Sequence, residues 1–187
     1  MHGSIAFVFP GQGSQSVQML ADLASTHPLV QEVFAEASDV LGEDLWALSQ
    51  NGPVEKLNQT RWTQPLMLAA GYAVYRVWEE EGGAYPDFVA GHSLGEYTAL
   101  VVADALDYAD AVRLVAERGR LMQEAVPEGA GAMAAVIGLA DDDLKRLCAQ
   151  ESQDNVLSAA NFNAPGQIVV AGETAAVERL VEAARSA

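Results

Sequence analysis

The chain has 187 residues, half of them apolar, and a formal net charge of −16. This composition is typical of a globular protein, and the length suffices for one sizeable domain with a small appendage. The charge argues against nucleic-acid binding, which needs clustered basic residues, because only ten Lys and Arg are present. The apolar runs are too short to span a membrane and no secretory leader pattern is recognised, so we expect a cytoplasmic protein without membrane contact.

Predicted strands and helices alternate in the first two thirds of the chain. The apolar run at residues 5–9 and the segment Phe88–Gly91 each predict a short strand buried on both faces, as in a parallel sheet. Such alternation indicates an α/β architecture. Apolar periodicity and Pro placement predict helices at residues 16–24, 28–41, from 63 onward, 94–102 and 108–126.

A second unit is predicted after a glycine-rich stretch near residue 129. Its predicted order is β-α-β-β-α, which gives five of the six elements of a ferredoxin-like unit. We therefore divide the chain into residues 1–128, the N-terminal part of a large α/β subdomain, and residues 129–187, a small ferredoxin-like subdomain without its last strand. The predicted elements are strand 132–137, helix 141–150, strand 155–160, strand 167–171 and helix 174–186.

The segment Gly91–Gly95 fits the pattern G-x-S-x-G between a predicted strand and a predicted helix. A serine presented at the top of a sheet must lie on a sharp, strained turn, and side chains at the two glycine positions would collide across it. The amide of Leu94 would lie at a helix N-terminus, which favours an oxyanion. Ser93 is thus a candidate nucleophile, although a glycine-rich turn with an incidental serine gives the same pattern.

Arg118 is the unusual residue of the predicted helix 108–126. At about 100° per residue, Arg113, Glu117, Arg120 and Glu124 share one stripe and form a solvated charge ladder. Arg118 lies instead on the apolar side, where an unpaired guanidinium is costly. It therefore needs an anion, supplied either by an internal carboxylate or by a substrate. Gly119 beside it weakly favours close approach by a ligand.

The loop at residues 10–16 lies between the first strand and the first predicted helix. It lacks the third glycine of a dinucleotide-binding loop, because Ser16 occupies that position, and it has no G-K-[ST] phosphate motif. The remaining interpretations are a weak dinucleotide loop or a backbone N–H that completes an oxyanion hole beside the serine. The residues alone do not choose between them.

Six segments in the same order resemble the malonyl-CoA:acyl carrier protein transacylase family of fatty acid synthesis. Together they cover nearly the whole chain, and six ordered segments are far more specific than any one of them. The segments are FPGQGSQ at 9–15, TQP at 63–65, GHSLGEY at 91–97, RG and LMQ at 118–123, GAMAA at 131–135 and NFNAPGQ at 161–167.

The resemblance implies a role for each matching residue. Ser93 would accept the malonyl group, the backbone amides of Gln12 and Leu94 would form the oxyanion hole, and Arg118 would pair with the malonyl carboxylate. In related polyketide synthase acyltransferases, leucine after the serine accompanies malonyl, so Leu94 favours malonyl over methylmalonyl. The remaining pocket residues implied by the resemblance are Gln64, His92 and Asn161.

The family's general base, a histidine that follows the small subdomain, has no counterpart in this chain. The histidines present are His2, His27 and His92, and none is a credible base. His92 adjoins Ser93, but successive side chains on the turn point apart. We therefore expect this chain alone to be nearly inactive, with the rest of the apparatus on the missing part or on a second polypeptide.

The resemblance also implies the substrates and partners. Malonyl would pass from malonyl-CoA to Ser93 and then to the phosphopantetheine thiol of acyl carrier protein, with no cofactor and no metal. Docking of an acidic carrier protein needs a basic patch, for which Arg61, Arg113 and Arg120 are candidates. The alternative functions are a polyketide synthase-type acyltransferase, a serine hydrolase and a non-catalytic malonyl-CoA-binding module.

Overall fold

A computed structural model describes residues 3–127 and 129–185, so His2 and the predicted end of the last helix lie outside the described residues. The chain forms two compact units, residues 1–124 and 125–187. Both units combine helices with a small sheet, which confirms the α/β class. Within the described residues, no helix is long and apolar enough to cross a membrane.

The first unit places two parallel strands among seven helices of the described chain. Strand β1 pairs with β2 in parallel, from Ala6 opposite Phe88 to Phe9 opposite Gly91. The elements are β1 (Ala6–Phe9), α1 (Ala21–Thr26), α2 (Leu29–Leu41), α3 (Leu45–Asn51), α4 (Val54–Leu57), α5 (Thr60–Glu80), β2 (Phe88–Gly91), α6 (Gly95–Val102) and α7 (Tyr108–Glu124).

The expectation that both strands are buried on two faces is wrong. One face of the pair packs against α5 and α6, where Phe9 meets Tyr75 and Val102 in a small core. On the opposite face Val8 and Phe88 are 74% and 67% exposed. The physical reason is that no element of the described chain covers that second face.

Two helix starts differ from the sequence prediction. Residues 17–20 form turns, and α1 begins only at Ala21. The reason is backbone conformation, since Gln18 and Leu20 have positive φ angles of 67° and 61°, which a right-handed helix excludes. Helix α5 begins at Thr60 and not at Thr63, so Pro65 lies inside the helix instead of in its first turn.

The core of the first unit is built by α2, α5 and α7. The side chains of Phe34, Leu66 and Val112 are fully buried in it. The Tyr108 hydroxyl donates to the backbone carbonyl of Val33 across 3.1 Å and ties the start of α7 to α2. This packing fixes α5 and α7 side by side, which is what brings their polar residues together.

The second unit follows the order β-α-β-β-α and forms an antiparallel sheet with β5 between β3 and β4. Helices α8 and α9 cover one face, where Leu144, Ile168 and Leu180 are buried. Burial on α8 also raises the pKa of the Cys148 thiol. The elements are β3 (Gly131–Ile137), α8 (Asp141–Ser152), β4 (Leu157–Ala164), β5 (Gln167–Glu173) and α9 (Thr174–Ala184).

Candidate active site

Ser93 lies on a strained turn between the end of β2 and the start of α6. Its φ angle is +53°, in the left-handed region that non-glycine residues rarely adopt. A Cβ on Gly91 would lie 2.0 Å from the carbonyl carbon of Gly95, as the predicted collision across the turn requires. A Cβ on Gly95 would instead lie 2.2 Å from the carbonyl oxygen of Phe9, at the end of β1. Both glycines are therefore needed, the second for packing against the neighbouring strand.

The first loop lies directly against this turn. The His92 amide donates to the carbonyl of Phe9 across 3.1 Å, and a Cβ on Gly11 would lie 2.8 Å from the His92 carbonyl oxygen. Within residues 3–127 and 129–185, the backbone amides of Gln12 and Leu94 donate no hydrogen bond. This arrangement favours the oxyanion-hole interpretation of the loop over the dinucleotide one.

The guanidinium of Arg118 contacts the hydroxyl of Ser93. Its Nη2 donates to Ser93 Oγ across 3.1 Å, and its Nη1 donates to Gln64 Oε1 across 2.7 Å. The Cζ atom also lies 5.6 Å from the ring centroid of Tyr97. Within the described part of the chain, Arg118 forms no ion pair, so the internal carboxylate that the sequence left open is not there. The serine and the cation share one site.

Gln64 supports Arg118 from α5. Its side chain is completely buried, and its Nε2 donates to Met122 Sδ across 3.2 Å. The sequence named Gln64 only by resemblance and named neither Met122 nor Tyr97 as site residues. The available signal was spacing, because Met122 follows Arg118 by four residues on α7 and Tyr97 follows Ser93 by four.

The interpretation of Gly119 as a place of ligand approach is wrong. A Cβ there would lie 2.7 Å from the carbonyl oxygen of Thr60 and 2.8 Å from Arg61 Cα, so the glycine admits the start of α5. The predicted charge ladder exists with one change of partner. Arg120 pairs with Glu117 and Glu124, while Arg113 pairs with Asp110 at 2.7 Å.

The other predicted residues take varied positions. The Leu94 side chain is 1% exposed and belongs to the core, so Leu94 offers the site its backbone amide. Gln12 directs its side chain to α5, where Nε2 donates to Thr60 Oγ1 across 3.2 Å. His92 is exposed at the elbow, and Asn161 lies on β4 of the second unit. His27 faces the carboxylate of Glu80 at 3.6 Å.

A serine on a strained strand-to-helix turn beside a parallel strand is the nucleophile arrangement of α/β proteins that handle acyl groups. Comparison with known families shows which family of this class the chain belongs to. The sequence model of the acyl transferase domain family matches residues 6–187, and the chain belongs to that family.

The similar proteins carry names that agree with the resemblance seen in the sequence. The malonyl CoA-acyl carrier protein transacylase of Escherichia coli strain K12 is 59% identical over 182 residues, which are 97% of this chain and 59% of that protein. The corresponding protein of Bacillus subtilis strain 168 is 44% identical over 182 residues, 97% of this chain and 57% of that protein. The chain thus spans less than two thirds of the length of these relatives.

Solved structures give the same result for the fold. The malonyl CoA-acyl carrier protein transacylase of Coxiella burnetii is 50% identical with a TM-score of 0.95, covering 98% of this chain and 58% of that one. A second structure, of a type II polyketide synthase acyl-carrier protein in complex with its malonyl-transacylase, matches with 57% identity and a TM-score of 0.95. It covers 98% of this chain and 60% of that chain.

Proposed function

We propose that this chain carries the nucleophile half of a malonyl-CoA:acyl carrier protein transacylase of fatty acid synthesis, acting through a malonyl-serine intermediate in the cytoplasm. The observation that carries the proposal is the 3.1 Å contact between Arg118 Nη2 and Ser93 Oγ. A carboxylate bound by this guanidinium stands next to the nucleophile. In a malonyl group, carboxylate and thioester carbonyl are separated by a single methylene, so the thioester carbon also falls near Oγ.

The proposed reaction is a two-step acyl transfer. Ser93 Oγ attacks the thioester carbonyl carbon, its proton passes to a general base, and the C–S bond breaks to release coenzyme A, whose thiolate takes up a proton. The phosphopantetheine thiol of the carrier protein then attacks the serine ester and restores the hydroxyl. The amides of Gln12 and Leu94 would stabilise the oxyanion in both steps. No metal or other cofactor is required.

The general base is proposed to belong to the part of the relatives that this chain does not match, or to a second polypeptide. Neither described histidine is proposed for this role. His27 Nδ1 lies 3.6 Å from a carboxylate oxygen of Glu80, and His92 is part of the turn that carries Ser93. Loss of a base histidine costs several orders of magnitude in rate in other serine enzymes. The 187-residue chain alone is therefore expected to form its acyl-serine slowly.

Arg118 is proposed to select the malonyl group by a charge-assisted, bidentate contact. In the free site its guanidinium already has two uncharged acceptors, Gln64 and Ser93, and it is partly exposed. Leaving it without a carboxylate is therefore less costly than leaving a fully buried ion unpaired. We expect malonyl to be preferred over acetyl by about ten- to a hundredfold, or about 1.4–2.8 kcal/mol.

A docking surface for the carrier protein is proposed around Trp62. A groove of about 280 Å³ is lined there by Arg61, Arg113 and Arg120, and also by the carboxylate-bearing Glu117. The guanidinium of Arg61 lies 4.7 Å from the Trp62 ring centroid. Arg113 and Arg120 are paired there with Asp110, Glu117 and Glu124, so the attraction for an acidic partner is proposed to come mainly from Arg61.

The proposal is tested by incubating the chain with equimolar malonyl-CoA and acetyl-CoA and following covalent adducts by intact-mass spectrometry. We expect a slow malonyl adduct that is absent in Ser93→Ala. Arg118→Ala should reduce the malonyl-to-acetyl ratio by about tenfold or more, because the carboxylate loses its cation. An unchanged ratio in Arg118→Ala would contradict the proposal.

The same experiment separates the alternative functions. Malonyl-CoA binding without any adduct would support a non-catalytic binding module. Steady release of free malonate without a carrier protein would support a serine hydrolase. Transfer to a polyketide carrier protein in preference to a fatty acid one would support the polyketide variant.

A further inference from the structure

The side-chain amide of Gln64 is completely buried and uses both of its ends. Its oxygen accepts from Arg118 Nη1 at 2.7 Å, and its nitrogen donates to the thioether sulfur of Met122 at 3.2 Å. A buried amide group without a partner is costly, so both contacts matter for holding the side chain in place. The three residues form a hydrogen-bonded chain from Met122 on α7 through Gln64 on α5 to Arg118 on α7, beside Ser93.

The two neighbours of Gln64 require the same orientation of its amide. If the amide were turned over, its NH₂ group would face the guanidinium, which has only donors, and its oxygen would face the sulfur, which is an acceptor. Arg118 therefore fixes the carbonyl end and Met122 fixes the amino end. Removal of the sulfur would leave the amino end without an acceptor, so that only the contact with Arg118 would hold the orientation of the amide.

The partners of Arg118 within the described residues are uncharged. They are the amide oxygen of Gln64, the hydroxyl of Ser93 and the ring of Tyr97 at 5.6 Å. Such partners hold and orient a guanidinium without neutralising it. The full positive charge stays available for the carboxylate of an incoming acyl group.

We propose that Met122 is a positioning residue for acyl-group selection. Its thioether keeps the carbonyl of Gln64 turned toward Arg118, and this keeps the guanidinium in place beside the Ser93 hydroxyl. Met122 acts through Gln64, whose amide is hydrogen-bonded to both the Met122 sulfur and the Arg118 guanidinium. The inference rests on the proposed function, because it requires that Arg118 binds the carboxylate of the acyl group.

The test compares Met122→Leu, which removes the sulfur at similar volume, with Met122→Gln, which offers an amide oxygen instead. Leu121→Ala is the matched control, because Leu121 is 54% exposed on the same turn of α7. Calorimetry gives the dissociation constants of malonyl-CoA and acetyl-CoA. ¹⁵N NMR follows exchange of the Gln64 Nε2 protons, which requires no turnover.

We expect Met122→Leu to weaken malonyl-CoA binding about five- to tenfold, the effect of one neutral hydrogen bond, and to leave acetyl-CoA binding unchanged. The Gln64 amide protons should exchange faster in this variant alone, and Met122→Gln should recover most of the malonyl preference. A preference retained within twofold in Met122→Leu, or unchanged exchange of the Gln64 protons, would overturn the role of Met122. Absence of any malonyl preference in the wild type would overturn the proposed function as well, so the two failures are distinguishable.

Discussion

Arg118 is held beside Ser93 by neutral groups, although it lies in a chain with 26 acidic residues. Its Nη1 donates to an amide and its Nη2 to a hydroxyl, and no described carboxylate pairs with it. An amide oxygen orients the guanidinium about as well as a carboxylate would, but leaves its charge intact. The difference between Gln and Glu at position 64 is therefore the difference between a free and a neutralised cation.

Substitution Gln64→Glu tests whether the neutral amide of Gln64 keeps the charge of Arg118 available. The new carboxylate would pair with Arg118 and compete with the carboxylate of malonyl-CoA. The preference for malonyl-CoA over acetyl-CoA should therefore fall by about tenfold or more. The ratio of the two dissociation constants measures the effect. Gln59→Glu adds the same charge at an exposed position before α5 and should leave the ratio unchanged. Equal effects of the two substitutions would show that net charge, and not pairing with Arg118, is responsible.

Sequence reasoning located Arg118 but could not find its partners. Helical spacing placed it on the apolar side of α7, away from the ladder of exposed charges. Its acceptor Gln64 is 54 residues away and the Met122–Gln64 pair is separated by 58 residues. Such contacts depend on how α5 and α7 pack, which one-dimensional periodicity does not contain.

The turn at Ser93 shows how an element boundary can be read from sequence. Strand β2 ends at Gly91 and α6 begins at Gly95, because no side chain fits at either glycine and Ser93 must take a positive φ of 53°. Steric exclusion is local at Gly91, so the motif predicts it. At Gly95 the obstacle is the carbonyl of Phe9 on β1, which the motif alone does not reveal.

Gly91→Ala should therefore destabilise the turn severely. Its Cβ would lie 2.0 Å from the Gly95 carbonyl carbon, and relief requires movement of the whole start of α6. We expect a loss of about 3 kcal/mol or more in the free energy of unfolding, measured by urea denaturation. Gly3→Ala is the control, since nothing lies within 4 Å of a Cβ there. Similar urea midpoints for the two variants would mean that the turn accommodates the added Cβ with little loss of stability.

Other element boundaries failed for identifiable reasons. The helix predicted at 16–24 is interrupted by the left-handed conformations of Gln18 and Leu20. Neither residue is a glycine, so nothing in the sequence indicates a positive φ angle there. Strands β1 and β2 were correctly located, but the predicted burial of both faces was wrong, since apolar composition indicates which residues favour burial and not which element covers them. Helices α3 and α4 are too short for periodicity to detect.

At the scale of the whole molecule, the excess of negative charge is the feature most directly read from the sequence. The chain has 26 Asp and Glu against ten Lys and Arg. The Arg and Lys ion pairs of the described residues are mostly exposed pairs three or four positions apart on one helix, such as Arg113–Asp110 and Lys145–Asp142. Such pairs contribute little to stability, so they do not offset the long-range repulsion.

Salt should therefore stabilise the folded chain. Raising NaCl from 0.01 M to 1 M shortens the screening length from about 30 Å to about 3 Å, which removes repulsion between distant carboxylates while costing only weak surface pairs. We expect the melting temperature to rise by several degrees, measured by circular dichroism at pH 7. The same series with sucrose separates screening from a general effect of excluded cosolutes, because sucrose carries no charge. A melting temperature that falls with NaCl would mean that the local ion pairs outweigh the net charge, contrary to their exposure in the structure.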